Sequence, residues 1–231
     1  METKRMRNRL TVYHIKGGTG KTRIALNIAL TLDCGIITND EYSIVSRVIS
    51  SSKCRILAQH DDFPRYPAKI PLVYDLGGKI DKRVGIAIEE SRYVIVPILP
   101  YKEDIQTGLD FITEIQAINS KIIIVVNKTK PKQFDNIRKV LKGYYPYFPV
   151  FELKSSTAMS RMIWEKKSIR EITNTNKLFR HHYQKLNQQF DQLINYIQTH
   201  DFEWPGEFKQ STLIMRDMHG LHALKKGNKN E

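Results

Sequence analysis

The chain has 231 residues, of which 41% are hydrophobic and 26% charged, ordinary proportions for a globular domain able to bury a core. Wholesale disorder is excluded, no apolar run reaches the ~18 residues of a membrane span, and the two cysteines, Cys34 and Cys54, are too few for a disulfide scaffold or a four-cysteine zinc site. The net charge of +13, from 37 basic and 24 acidic residues, points to a polyanionic partner.

Residues 10–15, LTVYHI, predict a short strand, and Gly17, Gly18 and Gly20 follow it at once. Residues 22–32 predict a helix carrying Ile24, Leu26, Ile28, Leu30 and Leu32. Strands are expected at 34–39, 54–58 and 70–74, the last ending at Asp75 before Gly77 and Gly78. Residues 93–99 form another apolar strand, 104–119 a helix, and 121–127, KIIIVVN, a β-branched run suited to a sheet buried on both faces. A short helix at 134–142, a last strand at 150–153, a helix near 156–167 and a long one over 177–198 complete the pattern. Strands alternating with helices imply an α/β fold, a mainly parallel twisted sheet flanked by helices on both faces. One domain is expected over residues 1–204, where Trp204-Pro205-Gly206 punctuates the chain, with 205–231 as a tail or loosely docked helix. Cys34 and Cys54 read as buried small hydrophobes. His181 and His182 point about 100° apart on a helix and do not chelate one ion easily.

The positive charge is uneven. Residues 1–24, 121–149 and 154–185 each carry a net +6, whereas 25–120 carry −3. If the three blocks meet on one face, they form a patch for nucleic acid or anionic lipid. The N-terminal METKRMRNRL lacks the apolar core of a secretory signal, so a cytoplasmic location is expected, nucleoid-associated if the chain binds DNA.

The chemistry concentrates in Lys16-Gly17-Gly18-Thr19-Gly20-Lys21-Thr22. The general phosphate-loop pattern is G-x-x-x-x-G-K-[ST]. Ile15 stands where its first glycine belongs, but Gly20, Lys21 and Thr22 fit. Glycines let successive backbone N–H groups converge on phosphate oxygens. The following helix adds its positive end. Lys21 is expected against the β- and γ-phosphates, and the Thr22 hydroxyl on Mg²⁺. Asp75, delivered by an apolar strand, is the candidate to hold Mg²⁺ through water; a strand-capping role is its alternative.

The string KGGTGKT resembles the deviant Walker A motif, KGGxGK[ST], of the ParA/MinD superfamily of dimeric ATPases, with weaker similarity to about residue 172. The resemblance implies ATP as ligand, Mg²⁺ as cofactor, and a homodimer that forms on ATP. It implies that Lys16 reaches across that dimer to the partner's phosphates and, with Lys21, acts in catalysis. The family's second strand ends in a D-x-D-type segment. Here Thr38, Asn39 and Asp40 stand there, so Asp40 is the candidate for orienting the attacking water and Glu41 the fallback. With no strong general base, slow hydrolysis without a partner is expected. Asn127 matches the family's adenine contact, with a chain-turning role as alternative. Lys130 stands where a guanine-reading N-K-x-D motif needs its carboxylate, which favours ATP. Backbone contacts to the base are implied near Leu153–Ser155.

The small partition ATPases of the family imply non-specific DNA binding by the ATP dimer and a centromere-bound adaptor that stimulates hydrolysis. The candidate DNA contacts are Arg161, Lys166, Lys167, Arg170, Lys177 and Arg180, with Lys185 in the same block. Two other branches remain open: conjugative DNA processing, and MinD-like positioning at a membrane. The latter needs an amphipathic C-terminal helix, for which residues 213–226 are the candidate.

Overall fold

Side chains alternate along each strand, and here both faces of the sheet are apolar, so each face needs a cover of helices. The computed structural model describes residues 8–67, 70–78 and 82–200. The strands are β1 (Arg9–Tyr13), β2 (Gly35–Thr38), β3 (Cys54–Ile56), β4 (Leu72–Leu76), β5 (Tyr93–Ile98), β6 (Ile122–Thr129) and β7 (Val150–Lys154). They form one sheet in the order β3-β2-β4-β1-β5-β6-β7, every described pairing parallel. The helices are α1 (Lys21–Leu32), α2 (Val45–Val48), α3 (Lys82–Glu90), α4 (Lys102–Gln116), α5 (Phe134–Tyr144), α6 (Ala158–Glu165), α7 (Ile169–Thr175) and α8 (Lys177–Thr199).

One core joins Val12, Ile36, Val73 and Ile95 to α1, α2, α6, α7 and α8. The other joins Tyr13, Ile37, Tyr74 and Val94 to α3, α4 and α5. The expected α/β architecture with helices on both faces is therefore present. β1 sits between β4 and β5, where the chain, having built β2 and β3 on one side, returns to build β5–β7 on the other. Ligands of open α/β sheets bind beyond the carboxyl ends of strands at such a reversal.

Three differences from the expected elements have local causes. The helix expected over 156–167 is α6, and a further helix that was not expected, α7, follows it. Lys166 adopts φ 55°, a left-handed residue that stops α6, and Ser168 starts α7 with a capping box: its side chain accepts from the Glu171 backbone while the Glu171 carboxylate accepts from the Ser168 N–H. α3 has no counterpart in the sequence reading, because only Val84, Ala87 and Ile88 are buried among its charged neighbours. β4 runs two residues further than expected, so Asp75 lies inside it, in register with Val12 and Thr38. Cys34 is buried and Cys54 only half-buried. No described helix is long and apolar enough to cross a membrane. Residues 201–231, which include the expected tail and the 213–226 candidate, lie outside the described residues.

Candidate functional site: a glycine-rich loop at the carboxyl edge

The loop between β1 and α1 is shaped by left-handed glycines. Gly18 has φ 77° and Gly20 has φ 95°. Gly20 is also the N-cap of α1, and a Cβ there would stand 2.2 Å from Asn127 Nδ2. No larger residue fits that position, for both conformation and space. α1 has no side-chain cap and no acidic residue in its first turn. Its first N–H groups have no intrahelical partner, so this helix end is suited to an anion. Lys21 Nζ donates to the Lys16 carbonyl at 3.0 Å, folding the loop back over its own lysine. Burial lowers the Lys21 pKa, and the charges of Asp75 and Asp40 oppose that shift.

A cleft of about 720 Å³ opens at this edge, lined by Gly17, Gly18, Gly20, Lys21 and Thr22 from the loop side. Asp40, Asp75, Gly77 and Gly78 line its other side. Asp75 is 3% exposed, and burial pushes its carboxyl up to about 6 against hydrogen bonds from Thr22 and Thr38 and the charge of Lys21. A hydroxyl and a buried carboxylate form a hard oxygen donor set, which fits Mg²⁺. Thr22 and Asp75 are the residues that would hold it. Asp40 lines the cleft; its N–H donates to Thr38 Oγ1 at 3.2 Å and its Oδ1 accepts from Tyr42 N at 3.0 Å. Glu41, the fallback, instead accepts from the Gln59 N–H at 3.3 Å and is not among the lining residues.

The other expected residues lie outside the cleft lining or on the surface of α6–α8. Lys16 does not line the cleft: its ammonium is ion-paired with Asp104 in the first turn of α4. Asn127 is 3% exposed. Its Nδ2 donates to the Thr19 carbonyl at 2.8 Å and its Oδ1 accepts from the Lys128 N–H at 2.9 Å, so here the amide holds the loop. Thr19 is fully buried. Ser155 N–H donates to the Thr129 carbonyl at 3.0 Å. In the C-terminal block, Arg161 lies 4.3 Å over the Phe179 ring and pairs with Glu165 at 2.7 Å, and Arg170 forks Asp191 at 3.0 and 2.7 Å. Lys166, Lys167, Lys177 and Arg180 are exposed.

Several site residues were missed in the sequence. Lys128, at φ 58° on a β6 irregularity, donates from Nζ to the Gly18 carbonyl at 2.9 Å and lines the cleft. His14, buried at the loop's start, accepts the Lys16 N–H on Nδ1 at 2.9 Å. Burial, with Lys21 next, lowers its pKa to about 4. Tyr42, at 94% exposure, stands at the rim. Adjacency to Asn127 was a usable signal for Lys128. His14 and Tyr42 carried none.

No protein-family model and no curated protein matches the sequence. Solved structures do match. A variant of Cyanothece McdA in complex with ATP aligns with a TM-score of 0.61 at 10% identity, covering 86% of this chain and 99% of that one. A plasmid partition protein of Borrelia burgdorferi bound to AMPPNP aligns at 0.56 and 16% identity, covering 80% and 98%. The septum site-determining protein MinD of Pyrococcus horikoshii, complexed with Mg-ADP, aligns at 0.60 and 12% identity, covering 83% and 96%. With the strand–glycine loop–helix unit at the carboxyl edge of an all-parallel sheet, these alignments assign the chain the fold of the ParA/MinD-type ATPases.

Proposed function

We propose that the chain is an ATP-dependent dimerising switch ATPase of the ParA type, binding DNA without sequence preference in its ATP dimer and driving plasmid or chromosome partition with an adaptor protein. The carrying observation is the cleft itself: an uncapped helix start and Lys21 on one wall, Asp40 and Asp75 on the other. Backbone N–H groups of Gly17–Thr22 bind phosphate oxygens, and Lys21 neutralises the β- and γ-phosphates. Thr22, and Asp75 through water, would hold Mg²⁺, which when bound would supply positive charge beside the transferred phosphoryl group. Asp40 orients the attacking water. Lys16 leaves Asp104 and reaches the partner protomer's nucleotide, which makes pairing depend on ATP.

The basic surface of α6–α8 gives DNA affinity through phosphate contacts, and a dimer doubles it. Lys166, Lys167, Lys177, Arg180 and Lys185 are exposed for this. Arg161 and Arg170 contribute charge from within their ion pairs. Sedimentation with random-sequence DNA and with anionic liposomes, each with ATP and with ADP, tests the reading. ATP-dependent recovery with DNA alone is expected. Recovery with liposomes alone would replace partition by membrane positioning.

A further inference from the structure

Asn39 occupies the first position beyond β2, and Gly77 the first beyond β4. The two strands are neighbours whose ladder ends with Thr38 opposite Asp75. Beyond that rung the backbones no longer pair, yet the contact continues. Asn39 Nδ2 donates to the Gly77 carbonyl at 2.9 Å, and Gly77 N–H donates to Asn39 Oδ1 at 3.0 Å. The side-chain amide acts as a substitute peptide group and adds a two-bond rung to the sheet. Only an amide offers donor and acceptor together in this geometry.

The rung joins the two loops that face Lys21. On one side the next residue is Asp40. On the other the next is Gly78, at φ 83°, whose carbonyl accepts from the Tyr13 hydroxyl at 2.7 Å. A Cβ on Gly77 would lie 3.4 Å from Lys21 Cε and 3.8 Å from Nζ, so the rung sits directly beside the phosphate-loop lysine. Fixing Asn39 against Gly77 therefore fixes Asp40 relative to Lys21 from a second direction, across β2 and β4.

We infer that Asn39 is a positioning residue for hydrolysis: its amide sets where the Asp40 carboxylate stands over the phosphate loop. The inference rests on the proposed ATPase reading. It separates binding from chemistry, because the glycine loop and Lys21 hold nucleotide without Asn39. A misplacement of about 1 Å in an orienting group can cost about 100-fold in rate.

The test compares wild type with Asn39→Ala and Asn39→Asp in ATP calorimetry, steady-state hydrolysis and amide exchange at Gly77. Asn39→Ala is expected to bind ATP within about 3-fold of wild type, to lose about 10- to 100-fold in kcat with KM little changed, and to lose Gly77 protection without nucleotide. Asn39→Asp keeps the acceptor but not the donor when ionised, and is expected to lose rate likewise. Wild-type kcat in Asn39→Ala, or parallel losses in binding and melting temperature, would overturn the inference and leave the ATPase reading standing. Absence of ATP binding by the wild type would overturn the ATPase reading, and the inference with it. Gly77 exchange, measured without nucleotide, reports the rung in either case.

Discussion

The glycine loop and the α6–α8 surface are both rich in cations, but they hold them differently. Around the loop every lysine has an intramolecular partner: Lys16 has Asp104, Lys21 the Lys16 carbonyl, Lys128 the Gly18 carbonyl. The surface of α6–α8 is a mixture. Arg161 and Arg170 are paired, while Lys166, Lys167, Lys177 and Arg180 face solvent. Net charge counts all of these alike. A loop lysine works through fixed position beside a low-dielectric wall, and a surface lysine through charge that salt screens.

Removal of Lys21 should break the loop most completely. Lys21→Ala is expected to weaken ATP binding by at least about 100-fold, the loss of a charge-assisted contact with a buried phosphate, while the melting temperature hardly moves. Calorimetry beside a thermal melt checks this, and unchanged affinity would remove the lysine from the account. Gly20→Ala attacks the same loop through its backbone. The left-handed conformation and the 2.2 Å approach of Asn127 Nδ2 predict a loss of about 1–3 kcal/mol in stability, read by urea unfolding, together with ATP affinity.

His14 sharpens the contrast through pH. Its folded pKa, about 4, lies below the unfolded value of 6.5, so the unfolded chain takes up the proton first. Its contribution is intact above about pH 6.5 and is lost as pH falls towards 4. The span corresponds to at most about 3 kcal/mol. Denaturant unfolding of wild type and His14→Gln across that range should show a shallower acid slope in the variant. Equal slopes would contradict the buried neutral imidazole.

The smallest effects belong to the surface. Lys166→Gln with Lys167→Gln should lower the salt dependence of DNA binding by about 1 per lysine. Arg170→Gln should change it less, because Asp191 already holds that guanidinium. An equal effect from Arg170 would show that the ion pair opens on DNA.

Legibility in the sequence followed the same division. KGGTGKT stated its own geometry, since glycine, lysine and threonine at that spacing require a strand before and a helix after. β6 was legible from its β-branched run. Lys16–Asp104 and Asn39–Gly77 were not, because they join residues 88 and 38 positions apart through strand order alone. α7 was missed although its start was written in Ser168 and Glu171, a capping-box pair. Asn127 was expected at the base, whereas its contact with the Thr19 carbonyl could come only from the folded loop.

The central claim is that this loop grips a triphosphate shared between two protomers, and particle mass tests it most directly. Light scattering with Mg²⁺ should give about twice 26.9 kDa with ATP and a single chain with ADP, and a single chain for Lys16→Ala with ATP. A wild-type chain that stays single under calorimetrically saturating ATP, or a Lys16→Ala chain that pairs as wild type does, would contradict it.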